Sequence, residues 1–145
     1  MKFLILLILF PLVSYADKYN TSCTGTQNVP AVTAYNYMTD KLGIPVKEID
    51  ESKTKVRFID RQTITPLKGK MIVETMMKGP HVVSDQMARE ILTDIYIKMR
   101  VYVLTIKVDF ESFSGKKNSF IVSSYINDDE CSVGDGGLIM LNRGF

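Results

Sequence analysis

The sequence predicts an α+β domain: one twisted antiparallel sheet of four to five strands with two helices, in the order α-β-β-α-β-β-β, and one disulfide linking its two ends. Three observations lead there. Hydrophobic spacing switches between the helical period and strict alternation along the chain. The alternating segments are joined by short Gly- and Lys-containing turns, which make antiparallel neighbours. Only two cysteines occur, Cys23 and Cys131, one near each end.

The first sixteen residues, MKFLILLILFPLVSYA, carry one cation at Lys2, an apolar run interrupted by Pro11, and small residues at Ser14 and Ala16. That is the layout of a secretory signal peptide cleaved after Ala16, and the run is too short for a spanning helix of roughly 20 residues. The exported product is then a single domain over residues 17–145, long enough for a real core, without stable membrane insertion once the signal is removed. Two cysteines in an oxidising compartment read as one bridge. A short leader and few cysteines favour a bacterial periplasm, with an extracellular destination as the alternative.

After a polar lead-in, VPAVTAYNYMTDKLG places Pro30 in a first helical turn and Gly43 at a helix end. Ala31, Ala34, Tyr35, Met38 and Leu42 recur at helical spacing between them. In TKVRFIDRQTIT, Val56 and Phe58 alternate with Lys55 and Arg57, as on a half-buried strand. PLKGK reads as a turn, and the β-branched MIVETMM as the returning strand of a hairpin.

Ser84 or Asp85 caps a second helix over residues 85–100, with Met87, Ile91, Leu92, Ile95 and Met99 on one face and Lys98 and Arg100 at its end. From Val101 the period becomes two. Tyr102, Leu104, Ile106, Val108 and Phe110 share one face, while VYVLTI is apolar on both, as in a central strand covered on both sides at one end. SGKKN turns the chain into SFIVSSYIN, with Phe120, Val122 and Ile126 on one side, and GGLIMLN makes one more strand.

The chemistry offered is sparse. His81 is the one histidine, in the turn KGPHVV, and no Gly-x-Ser-x-Gly elbow or free thiol pair accompanies it. A two-carboxylate hydrolase remains the least favoured reading, in a chain with no tryptophan to stack a sugar. Zinc needs clustered Cys and His ligands, and NDDECSVGDGG lacks the alternating order of a calcium loop, so neither a metal nor a cofactor is expected. With the leader gone the net charge is close to neutral, and paired lysines at turns do not form the basic stripe that nucleic acid requires.

The expectation is therefore a non-catalytic exported protein that binds another protein through a strand edge or an apolar patch. An inhibitor or immunity-type protein, or a soluble partner of a membrane protein's periplasmic domain, fits that description. Met76 and Met77, adjacent on the expected strand and so pointing to opposite faces, and Phe113 beside SGKKN are candidates for its surface. The alternative is a carrier of a small apolar ligand, held in a cavity between sheet and helix lined by Met87, Ile91, Leu104 and Ile106.

Overall fold

The computed structural model describes residues 23–145, so the leader and the first part of the polar lead-in lie outside the described residues. Helix α1, Val29–Asn36, opens with proline in its first turn, continues as a π-helical turn over Tyr37–Lys41, and stops at Gly43, whose φ of 68° suits a residue without Cβ. Its expected apolar face is the one it buries: Ala31, Ala34 and Met38 are enclosed, and Tyr35 and Leu42 flank them.

Four strands follow, β1 Lys55–Thr63, β2 Tyr102–Glu111, β3 Lys117–Ile126 and β4 Gly134–Asn142. They form one antiparallel sheet in the order β1-β2-β3-β4. Leu104, Ile106, Val108 and Phe110 of β2 lie beside Phe120, Val122 and Ile126 of β3 and pack with the buried side of α1. Phe110 and Phe120 meet edge to face at 6.0 Å, a geometry that adds to their burial.

The segment MIVETMM is not a strand. Between β1 and β2 stand helices α2, Pro66–Met76, and α3, Asp85–Thr93, the latter running into a π-helical turn at Asp94–Lys98. Among the described residues the order is thus α-β-α-α-β-β-β, with three α-helices and four strands. The Thr65 hydroxyl accepts the Lys68 amide at 3.2 Å, and Pro66 takes the first helical position, where its missing N–H costs nothing. Gly69, Ile72 and Val73 then fall on one buried stripe. A good cap and a helical period outweigh the β-branching of Ile72, Val73 and Thr75.

Helices do not all lie on one face. Ile72, Val73, Tyr96 and Val101 make a second buried cluster, against which Tyr125, Val133 and Leu92 pack. Tyr96 meets Tyr125 edge to face at 5.9 Å and donates its hydroxyl to the Val133 carbonyl at 2.5 Å. Tyr125 points away from α1, being out of phase with Ser124 and Ile126. The start of the β2 segment is accordingly flanked by both clusters, Val101 by the second and Leu104 by the first.

Cys23 and Cys131 form a disulfide, with Cα atoms 5.2 Å apart across 108 positions of sequence. The acidic turn ahead of Cys131 is built by Asn127, whose side-chain oxygen accepts the amides of Asp129 at 2.9 Å and Glu130 at 2.6 Å. Asp128 reaches Arg61 at 3.5 Å, which ties the turn to β1. The glycines beyond Asp135 let β4 approach β3: a Cβ on Gly136 would stand 2.8 Å from the Ser123 backbone.

Candidate functional site

Helix α3 leaves part of its apolar surface uncovered by the described residues. Of the face that spacing singles out, Met87, Ile91, Leu92, Ile95 and Met99, the structure packs Leu92 and Ile95 with Tyr96 on the second cluster, and buries Ala88 in place of Met87 and Ile91. The phase is set from the C-terminal end. The π-helical turn inserts an extra residue in its repeat, and Tyr96 is held by Val133 and by α2, where the Tyr96 carbonyl lies against Gly69. Met87 and Ile91 are consequently left 51% and 48% exposed.

Across from Ile91, the connection from α2 to α3 carries Pro80, His81, Val82 and Val83. Val82 is fully exposed and Val83 about 43% exposed. Met76, these four residues, Ala88, Ile91 and Leu92 line an open hollow of about 420 Å³ whose walls are mainly apolar. Arg89 donates to Glu74 at 2.6 Å on the outer surface, linking α3 to α2 and holding the Glu74 carboxyl below its ordinary range. His81 contributes one polar contact, its Nε2 lying 3.2 Å from the Met77 carbonyl, where a ring N–H donates. No carboxylate is among the described hydrogen-bond partners of His81. A hollow of this kind can bury apolar side chains of an incoming segment; it has no enclosed chamber.

The residues singled out from sequence are dispersed. Met76 lines the hollow, whereas Met77 caps α2 and packs half-buried on the second cluster. Helical geometry sets neighbours about 100° apart, so the two do not face opposite ways as strand residues would. Phe113 is 69% exposed on the β2–β3 hairpin, at the far end of a ten-residue strand from α3. Met87, Ile91, Leu104 and Ile106 do not surround one void: Leu104 and Ile106 are sealed in the first cluster, and the two α3 residues face outward.

The residues that sequence reasoning missed are Val82 and Val83. Their signal was legible: two valines stand between a Gly-Pro turn and a helix cap, where polar residues are usual. Among the described residues no three His, Cys, Asp or Glu side chains gather as a metal site, and no helix is long and apolar enough to cross a membrane.

Fold and site together define a disulfide-linked α+β domain that carries an open apolar hollow between α2 and α3. No family model matches the chain, and no curated protein or solved structure matches it significantly.

Proposed function

We propose that this protein is exported to a bacterial periplasm and acts without catalysis by binding another protein, which seats an apolar segment in the hollow between α2 and α3. One observation carries the reading: Met76, Pro80, Val82, Val83 and Ile91 line one apolar hollow that the described residues leave uncovered. The hollow's openness favours a protein segment over a small ligand, because a carrier encloses most of its cargo. An inhibitor of a secreted enzyme, or a soluble partner of a membrane protein, would use such a surface in the same way.

The test is co-purification from the exporting cell, comparing the natural chain with Val83→Asp/Ile91→Asp. Both residues are partly solvated, so the variant keeps its fold, with a stability change of about 0.5 kcal/mol or less at each site. A stoichiometric partner protein retained by the natural chain and lost by the variant is the expected result. A partner held equally by both, or a native mass spectrum showing a bound apolar small molecule and no protein, would remove the proposal.

A further inference from the structure

A second surface lies at the opposite end of the sheet. Strand β1 is an edge: it pairs with β2 on one side, and no strand among the described residues lies on the other. Most of its nine residues are exposed, including Phe58 and Ile59. Its side chains divide by parity. Val56 and Phe58 stand beside Val108 and Ile106 on the face that holds α1, and Lys55 and Arg57 stand beside Asp109 and Lys107 on the face that does not.

Next to Lys55 and Arg57 the open face forms a groove of about 420 Å³ whose charged walls are Lys53, Lys55, Arg57, Lys107 and Lys117 against Asp109 and Glu111. Both carboxylates are engaged. Asp109 takes Lys107 at 2.8 Å, Arg57 at 3.4 Å and the Ser119 hydroxyl, while Glu111 takes Lys53 at 3.2 Å and Lys117 at 3.7 Å. Asp50 adds a second contact to Lys53 at 3.4 Å. A chain whose formal net charge is only +2 thus concentrates a positive excess along one open strand edge.

We propose that β1 accepts an acidic, extended segment of another protein as an added strand, with its backbone on the free edge and two carboxylates, spaced at alternate positions, on Lys55 and Arg57. Main-chain pairing supplies affinity in this mode of recognition, and alternate side chains supply the selection. The side chains between the carboxylates would meet Val56 and Phe58. The register shift between Phe58 and Asp60 bends the strand, which limits the docking stretch to its first four or five residues. The same cations discriminate against a second copy of this chain, since self-pairing would set cation against cation. The site rests on β1 and its groove alone and is independent of the apolar hollow.

The probe is an acetylated ten-residue peptide of alternating Glu and Val, titrated into the full exported protein with its disulfide intact, with binding followed by calorimetry and by amide shifts. Binding is expected to perturb the amides of residues 55–59. It should weaken by roughly tenfold or more in Lys55→Gln/Arg57→Gln. The same peptide N-methylated at alternate residues, which keeps the charges and removes backbone donors, should bind at least as poorly. Circular dichroism and melting check that the variant is folded, and the N-methylated peptide tests the idea on the unaltered protein. Equal binding of a Lys-Val peptide, or of the N-methylated one, would overturn strand addition. So would binding confined to a sulfated polysaccharide or to vesicles rich in phosphatidylglycerol.

Discussion

Asn118 shows how much one buried polar side chain organises. It is fully enclosed, its Oδ1 accepts the amides of Gly144 at 2.8 Å and Phe145 at 3.2 Å, and its Nδ2 donates to the Phe145 carbonyl at 3.1 Å. Asn118→Leu would strand those three backbone groups. Gly144 is exposed and Phe145 half-buried, so water replaces part of what is lost and the cost is on the order of 1 kcal/mol. Urea denaturation should show a loss of that size, and hydrogen exchange should show faster amides at Gly144 and Phe145 with β2 unchanged. Asp109 makes a different prediction. Burial pushes its carboxyl up, but the Lys107 ammonium and the Ser119 hydroxyl, with Arg57 beyond, outweigh that and hold it below the ordinary carboxylate value. As pH falls, the unfolded chain takes the proton first, near the ordinary value of about 3.9, and the folded chain only lower. The stability from Asp109 is therefore present above about pH 4 and is lost as pH drops through the folded value. Denaturant midpoints measured between neutral pH and pH 3 should fall less steeply at the acid end in Asp109→Asn than in the natural chain.

At the scale of elements, the close approach of α2 to the π-helical turn is the critical contact. A Cβ on Gly69 would stand 2.2 Å from the Tyr96 carbonyl oxygen, a backbone atom with no rotamer to escape into. Alanine gains about 1 kcal/mol of helix propensity over glycine. The clash nevertheless wins, and Gly69→Ala should lower stability by a net of about 1–3 kcal/mol in a urea titration, in the range of overpacked cores. The same contact marks where sequence reading stopped short. The α1 stripe, the alternation of β2 and β3, and the Ser84 cap on α3 were all legible, because each follows from local period or turn chemistry. Helix α2 was misread even though Thr65 and Pro66 announce a helix start, since Ile72, Val73 and Thr75 outweighed the cap in a short apolar run. The phase of α3 was legible only in part: Leu92 and Ile95 pack inward as the spacing expects, whereas Met87 and Ile91 do not. It depends on the Tyr96 hydroxyl meeting Val133, 37 positions away, and on a glycine in another helix. That rotation is what exposes Met87 and Ile91, so the candidate site was hidden by the same tertiary contact that creates it.

For the molecule as a whole, the question is what keeps α1 on the sheet. The helix proper has eight residues, too few to persist alone, and it docks on β2 and β3 through Ala31, Ala34 and Met38, with Tyr35 and Tyr37 against Phe110 and Phe120. The second cluster, at the other end of the sheet, does not include it. The bridge from Cys23, just ahead of α1, to Cys131, between β3 and β4, adds a covalent constraint to that packing. Closing a loop of that length removes unfolded-state freedom worth about 4–5 kcal/mol in the chain-entropy model. That is a large share of the roughly 5–15 kcal/mol that stabilises an ordinary domain. Cys23→Ser/Cys131→Ser should therefore lose several kcal/mol in urea, and the slope of the transition should steepen as the freed chain exposes more surface on unfolding. Because α1 depends on the bridge more than the strands do, its amides should lose exchange protection before those of β2 and β3. A loss below about 1 kcal/mol, with α1 still protected, would mean that α1 packing suffices and that the bridge adds little. The expected outcome makes the fold conditional on an oxidising compartment, so the domain would be markedly less stable wherever its two cysteines were kept reduced.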